Sequence, residues 1–268
     1  GYGHPEVHLA VESLMDVAAE KLGISPAAIR LQNLLRAGYA NGIGQVMHES
    51  NGNVVRCTEI IADKLFTKPK PDLGPHIAVG RGMASYMKTP CMPTNSPSGA
   101  FIKLNSDGTV SMCTGAVDMG QGLHTALAQI GAEALGLPFE KVHFQYSVDT
   151  LTSPYDWQTV ASHSTWGAGN AAILAAEDLK RKLREEGAKV FGVPAEEVSA
   201  EAGEVRYQDR SIGWSEFATG IRNPDGSALT KPVMGEGYFI PKGIQNHDPE
   251  TGQGNAAGDW TLGCVGAE

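Results

Sequence analysis

The chain has 268 residues, 41% of them hydrophobic and 19% charged, enough to bury one large core or two modest ones. A formal net charge of −9 with no cluster of Lys and Arg argues against nucleic acid as a partner, and no run of about 18 apolar residues offers a membrane span. Cys57, Cys91, Cys113 and Cys264 lack Cys-x-x-Cys spacing, so a zinc or iron–sulfur site is not expected; with no secretory leader at the head of the chain, we expect a reducing cytoplasm.

Val7, Val11, Leu14, Ala18 and Leu22 form a helical stripe that stops at Gly23. Ser25-Pro26 then caps a second helix carrying Ile29 and Leu34, with proline in its first turn. Cys57 to Phe66 reads as a third helix, and Thr67-Lys68-Pro69-Lys70-Pro71 as the connector that ends it. A strand is expected over Ile77 to Lys88, weakened by Gly80 and Gly82, with a proline-rich loop from Pro90 to Pro97. Ala100–Leu104 and Thr109–Thr114 flank Ser106-Asp107-Gly108 and predict a hairpin. A helix over 122–135 ends at Gly136, and Val142 to Tyr146 returns as a strand. A second long helix is read to end near Gly187, with the basic run Lys180 to Arg184 complementing its C-terminal dipole. Beyond it come a short helix around Pro194 to Val198, strands at 204–207 and 233–240, and a short helix at 214–220. Helices and strands interleave without strict βαβ order, which predicts an α+β fold with mixed sheets. The chain starts without Met inside a glycine-rich motif and stops in a strand-like stretch, so we expect a segment of a longer polypeptide.

Two small-residue loops run straight into helices. The first is Asp118-Met119-Gly120-Gln121-Gly122-Leu123-His124-Thr125, and the second is Thr159-Val160-Ala161-Ser162-His163-Ser164-Thr165. A helix N-terminus presents unpaired N–H groups and partial positive charge, which suits an anion. Gly120 and Gly122 permit close approach to the backbone, and Thr159, Ser162 and Ser164 add hydroxyl groups. Either loop alone is a capped helix start; the pair suggests two jaws around one hydrogen-bond-rich ligand.

The run from Met119 to Thr125, followed by Thr159-Val160-Ala161-Ser162, resembles the molybdopterin-binding subunit of the xanthine dehydrogenase and aldehyde oxidase family. The resemblance extends to Gly1-Tyr2-Gly3-His4-Pro5-Glu6, to Lys103 through Val110, and to Asp248 through Gly254. It implies that residues 1–75 are the helical end of a preceding molybdopterin-binding lobe plus a connector, and that 76–268 form an α+β lobe. It also implies a molybdenum–molybdopterin cofactor, mono- or dinucleotide, whose metal is held by pterin sulfurs and by no side chain. Met119, Gly120, Gln121, Gly122, Val160, Ala161, Ser162 and Ser164 then match cofactor-binding positions, with Ala161 the small residue nearest the metal. Tyr2, Tyr86 and Lys88 match substrate-facing positions. No catalytic residue is expected within the segment, since the family's glutamate base falls beyond residue 268, and the segment by itself should be inactive. The implied enzyme is a molybdenum-dependent oxidoreductase, a hydroxylase or dehydrogenase that oxidises an N-heterocycle or aldehyde with water-derived oxygen. Iron–sulfur clusters and FAD would sit on other subunits or segments of a hetero-oligomer. A reductive or carbon-monoxide-oxidising relative, or a non-catalytic scaffold of the same fold, is the alternative.

Other patterns carry less. Gly167-Ala168-Gly169-Asn170-Ala171-Ala172 imitates a dinucleotide fingerprint but follows a polar loop instead of a strand. His4 and His8 lack a third metal ligand. Glu236, between Gly235 and Gly237, precedes the stretch that the family's base should follow, and reads as a strand or turn residue. His124, one turn into its helix, reads as packed.

Overall fold

The computed structural model describes residues 3–87, 91–255 and 263–267. Internal contacts divide them into two units, one reaching Met92 and resuming at Ile244, the other spanning Pro93–Gly243.

The first unit contains helices α1 (His4–Leu22), α2 (Pro26–Asn33) and α3 (Val54–Phe66) and strand β1 (Gly82–Tyr86), which pairs antiparallel with β9 (Gly263–Ala267). Ser25 caps α2 as expected, its hydroxyl accepting from Ala28 N at 3.0 Å. Arg30, 1% exposed, ties the unit together. Its guanidinium pairs with Glu12 at 2.7 Å and Asp16 at 2.8 Å, and the same Glu12 oxygen accepts from Ser85 N in β1 at 2.9 Å. The apolar stripe of α1 is not what the unit buries: Val7, Val11, Leu14 and Leu22 are exposed and Ala19 is the buried position. The expected strand over 77–88 shortens to β1, and Ile77 is exposed.

The second unit is a mixed sheet covered by two helices. Its strands are β2 (Ser98–Leu104), β3 (Val110–Thr114), β4 (Val142–Phe144) and β8 (Met234–Phe239), in the order β4-β3-β2-β8. β3 and β4 are parallel, joined through α4 (Leu123–Leu135), and the other pairs are antiparallel. Alternation along the strands sends Ala100, Ile102, Leu104, Val110 and Met112 into the core. The long helix α5 (Ser164–Phe191) lies on β2 and β8 and packs against α4. Its buried face is alanine-rich (Ala168, Ala171, Ala172, Ala175, Ala176) before Leu179 and Leu183, and opposite it β8 offers Gly235 and Gly237. A Cβ at either glycine would collide with the α5 backbone, so small residues on both sides set the helix–sheet distance. A meander of β5 (Ser199–Glu201), β6 (Glu204–Tyr207) and β7 (Arg210–Gly213), then α6 (Trp214–Phe217), completes the unit.

The α+β class with mixed sheets and the 106–108 hairpin turn are as the sequence predicts. α5, however, runs past Gly187 to a cap at Gly192. Gly187 is a packing residue, because a Cβ there would meet Val205 of β6 and, at 3.3 Å, Val198. The basic run therefore lies within the helix, where Lys180 pairs with Glu201, Arg181 with Asp178 and Glu185, and Lys182 with Asp178. Strands β5 and β7 lie where the sequence pattern predicts none, and β4 stops before Tyr146, which is exposed. Among the described residues no helix is long and apolar enough to cross a membrane.

Candidate functional site

Both loops singled out in the sequence belong to the second unit, and both precede its helices. The first connects β3 to α4. Gly120 and Gly122 have φ of 109° and 78°, values that favour glycine, and a Cβ on either would meet nothing within 4 Å. The backbone here is both left-handed and open on its outer side. Asp118 organises the turn: its carboxylate accepts from Gly120 N at 2.8 Å, Gly122 N at 3.3 Å and His124 N at 3.2 Å. Backbone donors, those of Gly120 and His124 foremost, hold the Asp118 carboxyl below the usual carboxylate range. The sequence reading missed this role, although an Asp at the entrance to a helix is the residue type that does it. Some first-turn N–H groups of α4 are thus satisfied from inside the loop.

Gln121 is exposed, but its amide is engaged. Oε1 accepts from Met119 N at 2.6 Å and Nε2 donates to Val117 O at 3.0 Å, leaving one N–H and one lone pair pointing away from these bonds. Met119 is 72% exposed. His124 is packed, stacked on Phe144 at 4.5 Å between ring centroids.

The second loop leads into α5. Ala161 and Ser162 both have positive φ, 54° and 56°, a left-handed pair built without glycine. Val160 and Ala161 are half-buried, Ser162 is exposed and Ser164 is buried. The two loops meet directly: the Val117 backbone N–H donates to Thr159 Oγ1 at 2.8 Å across 42 residues of sequence. The two loops are thus in contact at this point, each leading into one of the unit's two long helices.

Tyr86 lies on β1 in the first unit, its ring 5.1 Å from that of His8. Tyr2 and Lys88 lie outside the described residues. The glycine-rich stretch 167–172 falls inside α5, so it forms no strand–turn–helix phosphate loop. Glu236 is an exposed residue of β8 whose backbone N–H donates to Asp178 at 3.0 Å. Among the described residues no cluster of three His, Cys, Asp or Glu could hold a metal, and Cys57 and Cys113 are free.

A family model for a molybdopterin cofactor-binding domain matches residues 63–268, and a second of the same description matches residues 1–34. Among curated proteins, the chain is 35% identical over 190 residues to the xanthine dehydrogenase molybdenum-binding subunit of Escherichia coli O157:H7, covering 68% of this chain and 25% of that one. It is 30% identical over 220 residues to the nicotine 6-hydroxylase large subunit of Paenarthrobacter nicotinovorans, covering 76% and 26%. The aldehyde oxidoreductase from Desulfovibrio gigas shares the fold with a TM-score of 0.62 at 23% identity, covering 95% of this chain and 25% of that one. The chain thus spans about a quarter of the length of the curated relatives it matches.

Proposed function

The chain belongs to the molybdopterin cofactor-binding domain family, and on that premise we propose that it forms part of the molybdenum-binding subunit of a hydroxylase or dehydrogenase. Its substrate would be an N-heterocycle or an aldehyde, with the added oxygen drawn from water. The observation that supports this reading most directly is the tie from Val117 to Thr159, because it brings into contact two loops far apart in sequence.

The residues present suit a pterin group. Gly120 and Gly122 are open where a Cβ would sit, so a planar ligand can reach the backbone. Gln121 is braced by its own loop and keeps a donor and an acceptor for a heterocycle edge. Ala161 supplies a small side chain where bulk would fill the space between the loops, and Ser162 and Ser164 supply hydroxyl groups for the pterin and its phosphate tail. Met119 and Val160 flank these contacts. When bound, the cofactor supplies the redox chemistry and the chain supplies orientation and hydrogen bonds.

Tyr2, Tyr86 and Lys88 are proposed to face the substrate. Residues 1–75 are proposed as the helical end of a preceding lobe with its connector, and 76–268 as the next lobe; separate family models at the two ends of the chain support that division. Iron–sulfur and flavin partners, a hetero-oligomeric assembly and a cytoplasmic location complete the proposal.

Gln121→Ala in the full-length protein tests it. The expected outcome is reduced pterin and molybdenum content, with stability changed by no more than the roughly 0.5–1.5 kcal/mol of a lost hydrogen bond. A variant that melts lower yet is fully loaded and active would make Gln121 a loop brace only.

A further inference from the structure

The mixed sheet of the second unit ends at β8, which pairs with β2 on one side and, among the described residues, with no strand on the other. Successive residues of a strand turn their N–H and C=O groups to opposite sides. The Glu236 N–H points away from β2, to Asp178, so Met234, Glu236 and Tyr238 are the residues whose backbone groups face the open edge.

Side chains of α5 already occupy part of that edge. The Lys182 ammonium donates to Met234 O at 2.8 Å, and the Asp178 carboxylate accepts from Glu236 N at 3.0 Å. The two also hold each other, Lys182 Nζ standing 2.7 Å from Asp178 Oδ2, while Arg181 braces the second carboxylate oxygen. One turn further on, Glu186 accepts from Lys231 N at 3.3 Å as the chain approaches β8. Residues 178, 182 and 186 are each one turn apart, so a single row of α5 runs along the strand. Ion pairs this close to solvent contribute little to stability. Their place is what informs: they meet the backbone groups through which another strand would pair.

The side chains of β8 show which strand that would be. Met234 and Tyr238 are exposed on the same face of the strand, with exposed Glu236 between them. Consider two copies of β8 paired antiparallel about a two-fold axis at Glu236. Met234 of each copy then lies opposite Tyr238 of the other, a favourable cross-strand pair. Glu236 lies opposite its own copy, where like charges repel. The edge is therefore self-complementary at Met234 and Tyr238 and repulsive at Glu236. Such a contact is isologous and closes after two copies.

We propose that Asp178 and Lys182, together with Glu236, keep the β8 edge closed to a second copy of this chain, and that removing them opens an antiparallel β8–β8 contact. The inference is independent of what the two loops bind.

Sedimentation velocity of the full-length protein over a concentration series tests it. Asp178→Ala/Lys182→Ala/Glu236→Thr should add a species of twice the wild-type mass that grows with concentration and is absent from the wild type. Adding Tyr238→Pro should abolish that species. Proline removes an N–H from the open edge and none from the β2 ladder, so it blocks a new strand and spares the sheet. Circular dichroism checks the fold of each variant. A folded triple variant that sediments as the wild type overturns the proposal, and so does association that Tyr238→Pro leaves intact. If the triple variant fails to fold, Asp178→Ser/Lys182→Met/Glu236→Thr, which keeps more of the packing, is read in the same way. Loss of the fold there too would make these side chains structural supports of α5 and also overturn the proposal.

Discussion

Replacing Gly237 with alanine is expected to unseat α5 from the sheet. Gly237 lies on the buried side of β8, and its φ is not positive, so alanine suits the backbone. The space does not suit it. A Cβ would fall within collision distance of Ala171 O and Ala175 N and 2.9 Å from Leu174 C, where ordinary carbon contacts are about 3.5–4.0 Å. All three neighbours are helix backbone, so no rotamer can relieve the contact and the helix must move by roughly 1 Å. Overpacking of this kind costs about 1–3 kcal/mol, and rigid neighbours place it toward the upper end. The reduced freedom of the unfolded chain returns about 0.4–1 kcal/mol, which leaves a net loss of roughly 2 kcal/mol.

At about 2–4 °C per kcal/mol for a unit of this size, the melting temperature should fall by roughly 4–8 °C. Because α5 carries the second loop at its N-terminus, molybdenum content should fall with it. Calorimetry and metal analysis on one preparation of the full-length protein provide both readings. Gly226→Ala is the control: φ is 84° and no atom lies within 4 Å, so only backbone strain applies and metal content should hold. A Gly237→Ala variant that melts at or above the wild-type temperature would refute the argument that glycine and alanine set the helix–sheet spacing.

Ala161→Phe in the full-length protein should abolish molybdenum loading while leaving the far-UV circular dichroism spectrum and melting temperature near wild type; normal loading and turnover would remove Ala161 from the site. The Asp118 carboxyl is depressed in the folded state, so its contribution is complete above its unfolded value and is lost as pH falls through the folded one. Exchange in residues 117–124 should therefore rise on acidification below about pH 4, and Asp118→Asn should flatten that dependence. Arg30→Ala leaves Glu12, whose side chain is 13% exposed, with only its Ser85 N–H donor and no opposite charge, and should cost about 3 kcal/mol by chemical denaturation; a loss below about 1 kcal/mol would show the ion pairs to be dispensable.

Much of the second unit was legible because its determinants are local. Leu123, Leu127 and Leu135 recur at helical spacing and Gly136 closes α4 in the left-handed conformation. Asp107-Gly108 turns the hairpin between strands whose alternate residues are buried. Gly187 misled for the opposite reason. A glycine near the end of a helical pattern usually stops it, but this one answers to Val198 and Val205, residues that come later in the chain. Strands β5 and β7 offer too few residues for a period to show, and β7 has no buried position to mark its inner face. The apolar stripe of α1 fixed a helix but not what the helix buries, since Ala19 and the Glu12–Arg30 pair face inward instead.

The two loops divide along the same line. The first is specified by its own residues: glycines where φ must be positive, Asp118 to collect the N–H groups, Gln121 to brace the turn. Apart from the roles of Asp118 and Gln121 inside the turn, its character could be read from eight letters of sequence. The second places Ala161 and Ser162 where glycine would be expected, so nothing in its own letters announces the conformation. Its shape is held by the Val160–His163 contact within the loop and, from outside, by the tie from Thr159 to Val117. A locally specified loop changes mainly when its own residues change. A loop held by tertiary contacts changes when its supports do, so the second should be the more sensitive of the two to substitutions outside it, at Val117, Gly167 or Gly237.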